Sequence, residues 1–233
     1  MTWIKICGNT NLEDARAAVE AGVDALGFVF APSVRRISPR DAGKIIGELP
    51  AAVEKIGVFV NQSAEIVLDT VEKAGLTGVQ LHGGETVGYA RELLAKARQR
   101  KLIKGVHMTT PDGTMGKAAE LAEGADVFAA VLFDSSTPER GGGTGKTFDW
   151  QEAVPVVRLL ARKFRVIIAG GLTAANVGEA IELFRPWGVD VVSGVESQPG
   201  KKDLGKVRAF VAAAKANRVI GPSGDRVIGS PAR

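Results

Sequence analysis

Four side chains capable of chemistry fall where short apolar runs end. Cys7 closes the run WIKIC, His82 closes GVQLH, Asp134 follows VFAAVLF, and Arg35 lies in the loop after ALGFVF. A thiol and a carboxyl placed across one pocket supply a base and an acid for proton transfer. A guanidinium offers a planar fork of donors to a carboxylate or phosphate. Further along, Gly170 and Gly171 precede an amphipathic segment, and Ser193 and Gly194 follow the run VDVV. Backbone N–H groups unobstructed by side chains can close on phosphate oxygens, helped by a helix N-terminus. Together these residues point to a small phosphorylated substrate.

Each of them also has a structural reading. A free cysteine commonly serves as a small buried hydrophobe, and an aspartate after a strand caps a turn or helix as often as it catalyses. His82, like its companion His107, reads first as a packed or hydrogen-bonded ring. Arg35 and Arg36 divide evenly between loop solvation and binding. The segment GGGTGKT, Gly141 to Thr147, imitates a phosphate-binding loop of the form GxxxxGKS/T, but Arg140 stands where its first glycine belongs. The preceding apolar run also ends too early, at Phe133, so a lid over the site is the expected role.

The elements that must hold these residues are Val/Ile/Phe-rich runs alternating with amphipathic segments, the pattern of βα units around a parallel sheet. Strands are predicted at Trp3 to Cys7, Ala25 to Phe30, Lys55 to Val60, Gly78 to His82, Leu102 to His107, Val127 to Phe133, Arg165 to Ala169 and Val189 to Val192. Helices are expected between them. In Asn11 to Ala21 the residues Leu12, Ala15, Ala18 and Val19 share a face, and in Ala174 to Phe184 the residues Val177, Ala180, Ile181 and Phe184 do, with Asn11 and Thr173 as caps. Eight such units favour an α/β fold of the (β/α)8 barrel type, in one domain, over an open doubly wound sheet, which would carry a glycine fingerprint after its first strand. Barrel active sites gather at the C-terminal ends of the strands, where the four reactive residues lie. The barrel is expected over residues 1–215. Residues 216–233, with the imperfect echo RVIGPS and RVIGSP, are expected to form an irregular tail.

The net charge of +4 does not mark a nucleic-acid binder: from Lys201 onward there are 8 Lys/Arg against 2 Asp/Glu, so the surplus belongs to the C-terminal end. No apolar run approaches the roughly 20 residues of a membrane span, so no membrane partner is expected. The N-terminus lacks the pattern of a secretory leader, and the lone Cys7 fits a reducing compartment. The expected location is cytoplasmic.

The motifs KICGNTNLEDA, GFVF followed by SVRRIS, GVFVN, VQLHG, LFDSSTPERGGGTGKTFDW, AGGLTAANV and VDVVSGVESQPGKKD occur in order, one per strand or loop. In this ordered set the chain resembles the phosphoribosylanthranilate isomerases of tryptophan biosynthesis over nearly all of residues 2 to 215. The resemblance implies a TIM barrel that uses no metal or cofactor. It implies conversion of N-(5-phosphoribosyl)anthranilate to 1-(o-carboxyphenylamino)-1-deoxyribulose 5-phosphate, with Cys7 as general base and Asp134 as general acid. By the same resemblance Arg35 faces the anthranilate, Asp190 the ribose hydroxyls, and Gly170, Gly171, Ser193 and Gly194 the phosphate, with His82 among the substrate-binding residues. Departures are small: Arg36 beside Arg35, Val192 in place of a frequent serine, and a glycine loop longer by one residue. Monomer and homodimer both stay open, as does acceptance of the histidine-pathway substrate.

An Amadori rearrangement needs one acid and one base, and ordinary side-chain values suit neither role. A cysteine near 8.5 is only slightly ionised at neutral pH, and an aspartate near 3.9 must rise by roughly three units, about 4 kcal/mol, to be half protonated there. Opposing environments are therefore expected. Lys5, two residues before Cys7 on the same strand face, is placed to favour the thiolate, unless it pairs with a buried acid instead. Leu132 and Phe133 are placed to desolvate Asp134. The related histidine-pathway isomerase carries an aspartate where Cys7 stands. Indoleglycerol-phosphate synthases want a catalytic lysine set, and pentose-phosphate epimerases more metal ligands than two histidines supply. A catalytically silent barrel kept for binding is the reading from another class, and turnover separates it.

Overall fold

The structure, a computed structural model, describes residues 1–96, 101–107, 116, 120–134 and 150–217. Parallel strands β1 (Trp3–Ile6), β2 (Ala25–Val29), β3 (Glu54–Phe59), β4 (Gly78–Leu81), β5 (Lys101–His107), β6 (Ala130–Asp134), β7 (Val166–Ala169) and β8 (Gly188–Val191) pair in sequence order. The barrel closes where β8 returns to β1, with Trp3 opposite Gly188 and Lys5 opposite Asp190. The described helices around it are α1 (Leu12–Ala21), α2 (Pro39–Gly47), α3 (Ala64–Ala74), α4 (Val87–Lys96), α5 (Trp150–Leu160), α6 (Val177–Phe184) and α7 (Leu204–Ala216). The predicted (β/α)8 barrel is thus present, and all eight strands fall where the apolar runs placed them.

Local chemistry sets the helix ends. Asn11, Ser38, Ser63 and Asp203 each sit in extended conformation and accept a backbone N–H from the first turn of α1, α2, α3 and α7. Two expected boundaries move. The Ala174 to Phe184 helix starts at Val177, because the Asn176 side chain accepts from the Thr173 N–H and Thr173 Oγ1 from the Ala175 N–H, which makes 174–176 a turn rather than helix. β6 starts at Ala130 rather than Val127, since the N–H groups of Val127 and Phe128 both bond to Gly124 in a helical turn. Their burial made that turn read as strand. The expected glycine lid and nearly all of the expected tail lie outside the described residues.

After β8 the chain makes a short 3₁₀ turn, Ser193–Val195, then an antiparallel hairpin of β9 (Glu196–Gln198) and β10 (Lys201–Lys202) that sequence reading did not anticipate. The barrel interior is apolar at its lower end, where Trp3, Ala25, Ile56, Ile103, Ala130, Leu132, Ile167 and Ala169 pack together. Trp187 stacks on Trp3 with ring centroids 4.9 Å apart and closes that end. Above this plug the buried interior turns polar, with Lys5, Gln80 and Asp190. Ile167 is fully buried in the plug. Ile167→Ala leaves a cavity there and is expected to cost about 3 kcal/mol, read as a lowered urea midpoint at unchanged slope.

Candidate active site

Cys7 follows β1 with 4% of its surface exposed. Its N–H donates to the Val191 carbonyl at 2.9 Å, extending the β1–β8 ladder by one residue. On the other side Gly27 of β2 leaves room for the sulfur: a Cβ at that position would lie 2.4 Å from Cys7 Sγ. Lys5, one pleat below and with no exposed surface, donates from Nζ to Asp190 Oδ1 at 3.0 Å. Burial opposes the ammonium, but Asp190 and the Cys7 sulfur outweigh it and hold Lys5 above its ordinary value. For Cys7 the balance runs the other way. Burial pushes the thiol up, and Lys5 pulls it down without cancelling the burial. The expected depression of the Cys7 titration is therefore corrected. The lysine does act on the sulfur, but it also serves a buried acid, and the thiol is far less solvated than its place at a strand end suggested.

Three adjacent strands deliver a second group. His82 follows β4, His107 ends β5 opposite Asp134, and Asp134 ends β6. His82 Nε2 lies 3.4 Å from Asp134 Oδ2, both side chains being partly exposed. The other ring nitrogen, Nδ1, is 3.1 Å from the amide of Gln80, and the two imidazoles meet edge to face at 4.9 Å. Gly105 makes space for this ring as Gly27 does for the sulfur, since a Cβ there would fall 2.1 Å from His82 Nδ1. That the two histidines meet was not foreseen, although both close neighbouring strands.

Arg35 is separated from Arg36 by its surroundings. Arg36 is exposed, whereas the Arg35 guanidinium donates from Nε and Nη2 to both oxygens of Glu196, at 2.7 to 3.1 Å. Glu196 also accepts from Lys202 Nζ at 3.2 Å and the Gly200 N–H at 3.2 Å, and Lys202 Nζ donates to the Cys7 carbonyl at 2.6 Å. One hairpin thus ties the β2–α2 loop to the end of β1. Burial alone would raise the Glu196 carboxyl, but the bonds from Arg35 and the charge of Lys202 hold it below its ordinary value. Sequence reading missed Glu196 and Lys202. Their signal was the charged VESQPGKKD segment itself, whose partners lie more than 150 residues away.

The remaining sequence-predicted residues meet above the plug. Arg35, Asp134, Gly170, Gly171, Asp190 and Ser193 line one cleft of about 560 Å³, together with Ala169, Leu172, Val191 and Val192. Gly170 and Gly171 have φ of +88° and +63°, a left-handed turn that residues with side chains rarely adopt. Gly194 stands off the cleft wall and lets the β8 loop meet the β7 loop, since a Cβ there would lie 1.9 Å from the Leu172 carbonyl oxygen. Cys7 and His82 are not among the cleft-lining residues: Cys7 lies buried at the end of β1, and His82 touches the lining through Asp134.

The model of the N-(5'-phosphoribosyl)anthranilate isomerase family matches residues 4–213. The isomerase of that name from Pelobacter propionicus is 42% identical over 219 residues, covering 94% of this chain and 98% of its own. The crystal structure of the Thermotoga maritima phosphoribosylanthranilate isomerase superposes with a TM-score of 0.82 at 44% identity, over 93% of this chain and all of the other. A family member in complex with reduced 1-(o-carboxyphenylamino)-1-deoxyribulose 5-phosphate superposes at 0.79 with 41% identity, over 93% of this chain and all of its own.

Two outcomes are expected from this geometry. Lys5→Met removes the cation that pulls on the sulfur, so the Cys7 titration, followed by thiolate absorbance, moves further up; an unmoved titration would show that Lys5 serves Asp190 alone. Glu196→Gln strips the counter-charge from Arg35 and Lys202 and is expected to cost roughly 2–3 kcal/mol, less than a wholly buried pair because Arg35 keeps some exposure. The stability that the Glu196 charge supplies is whole above its ordinary value of 4.5 and drains away as pH falls through its lowered folded value. Urea midpoints measured down the acid range should therefore fall less steeply in the variant.

Proposed function

The chain belongs to the N-(5'-phosphoribosyl)anthranilate isomerase family, and from that premise we propose that it rearranges N-(5-phosphoribosyl)anthranilate to 1-(o-carboxyphenylamino)-1-deoxyribulose 5-phosphate, a step of tryptophan biosynthesis, with Asp134 as the acid and Cys7 as the base. The observation that carries this reading is the single cleft in which Asp134, Arg35 and Asp190 share a wall with Gly170, Gly171 and Ser193. Phosphate oxygens take backbone N–H groups of the glycine turn and the β8 loop, which fixes one end of the substrate. Arg35 takes the anthranilate end, its guanidinium aimed by Glu196. The ribose then lies between, over Asp190, with Asp134 and Cys7 on opposite sides.

Asp134 gives its proton to the ring oxygen as the bond between that oxygen and C1′ breaks, and the anthranilate nitrogen lone pair completes the iminium. The Cys7 thiolate removes the proton from C2′, and the electron pair left behind forms the enolamine. Protonation at C1′, with loss of the C2′ hydroxyl proton, turns the enolamine into the ketone. No redox partner enters, because C1′ is reduced as C2′ is oxidised. The buried thiol resists ionisation, and Lys5, with a smaller contribution from Lys202, offsets part of this. An iminium formed above the sulfur adds a second positive charge at the moment the thiolate is needed, which concentrates the stabilisation in the step that uses it. The partner in this reading is a small phosphorylated molecule. Among the described residues no helix is long and apolar enough to cross a membrane.

Consumption of phosphoribosylanthranilate, followed by loss of its fluorescence, tests the assignment. Wild type should turn over, while Cys7→Ser and Asp134→Asn each lose roughly 10²- to 10⁴-fold in kcat, the range expected for a general base or acid. An inert but folded wild type would reduce the reading to a phosphate-binding barrel, and an active Cys7→Ser would move the base elsewhere.

A further inference from the structure

We propose that His82, His107 and Asp134 form a site for a divalent transition-metal ion such as Zn²⁺, and that its occupation inhibits turnover by capturing the Asp134 carboxylate. The three residues come from consecutive strands, and one ligand atom of each lies within 4.8 Å of the others. All three are partly buried, so the side chains are confined while an ion can still enter from solvent. Two imidazoles and a carboxylate are a preferred ligand set for first-row divalent ions and leave coordination positions open to water.

Gln80 supplies the second observation. It is 2% exposed, its Nε2 faces His82 Nδ1 at 3.1 Å, and its Oε1 has no hydrogen-bond partner. In this orientation Nδ1 accepts, so the ring proton sits on Nε2 and faces Asp134. A half turn of the amide satisfies the orphan oxygen, which then accepts from Nδ1–H. That tautomer turns the Nε2 lone pair toward Asp134 Oδ2, 3.4 Å away, the arrangement in which the ring and the carboxylate can share one cation. With a metal ion on Nε2, Gln80 is the outer partner that orients a ligating histidine and its buried oxygen gains the Nδ1–H it lacks. Gly105 keeps the space into which the His82 ring fits.

The inhibitory half rests on the reading of Asp134 as the proton donor, so the experiment separates binding from turnover. Co²⁺ is titrated into the intact protein and followed by its absorption, and Zn²⁺ is titrated against turnover at several substrate concentrations. The expected result is Co²⁺ bands without the thiolate-to-metal transition that Cys7 would give, and Zn²⁺ inhibition competitive with substrate and reversed by chelator. His107→Asn should keep its turnover and weaken both Co²⁺ binding and Zn²⁺ inhibition at least about tenfold. His82→Gln, measured for binding alone, should weaken Co²⁺ as well, which guards against a folding defect in one variant. A thiolate band, or equal Co²⁺ affinity in wild type and both variants, would overturn the site. Co²⁺ binding that needs both histidines, with turnover unaffected by Zn²⁺, would overturn the inhibition and with it the acid role of Asp134, while the metal site itself would stand.

Discussion

An ammonium with no exposed surface must be paired within the fold, and in this chain that ammonium sits on the seam that closes the barrel. Lys5 on β1 stands opposite Asp190 on β8, and the 3.0 Å bond between them crosses the closing joint of the sheet. Removing a lysine charge from water costs several kcal/mol unless partners compensate. Registers of β1 against β8 that separate Lys5 from Asp190 are therefore disfavoured, and a one-residue slip would turn Lys5 out of the interior altogether. The same pairing sets the electrostatics one pleat higher. Burial pushes the Cys7 thiol up, Lys5 pulls it down, and the Asp190 carboxylate that Lys5 neutralises works against that pull, so the thiol rests above its ordinary value. Closing the barrel and drawing the Cys7 thiol toward ionisation thus depend on one positive charge.

A second charged group repeats this logic outside the sheet. Glu196 gathers Arg35, Lys202 and the Gly200 N–H, and Lys202 reaches on to the Cys7 carbonyl. Lys202 is nearly fully buried, so its charge too is tolerable only with Glu196 in place. The hairpin that carries both residues is two short strands with little core of its own, and its backbone is tied to α1 where the Lys202 N–H donates to Asp14. The consequence is mechanical. The orientation of the cleft arginine and the backbone position of the cysteine respond to the same few bonds.

The eight strands were legible because a barrel strand buried on both faces writes itself as an uninterrupted Val/Ile/Phe run between turn residues. The placement of the candidate site residues was legible by the same route, since a side chain directly after such a run must lie at the C-terminal rim. Strand parity placed Lys5 on the face of Cys7 correctly, and it could equally have brought His82 and His107 together, as both close neighbouring strands. What parity does not carry is the degree of solvation, which decided the direction of the Cys7 titration. Nor could it show that Glu196 holds Arg35, because an ion pair between residues 161 apart depends on the closed barrel. The turn at Val127 was misread for a related reason: burial and β-type composition look alike whether the backbone is extended or helical.

Glycines complete the argument, because three of them sit where a functional side chain needs the volume of a Cβ. Gly27 faces the Cys7 sulfur, Gly105 the His82 ring, and Gly8 the Arg35 stem, with a Cβ at these positions 2.4, 2.1 and 2.9 Å from the nearest side-chain atom. Glycine in a strand weakens it by roughly 0.5–1 kcal/mol relative to alanine, and two of the three lie within strands. The cost is local to the rim, since the plug below is filled by larger side chains such as Ile56, Ile103 and Ile167. The barrel is therefore densely packed where it must be stable and hollowed one residue at a time where it must hold reactive groups. Every hollow is matched to a particular side chain on a neighbouring element, so the shape of the rim follows from where the glycines fall as much as from the residues that do the chemistry.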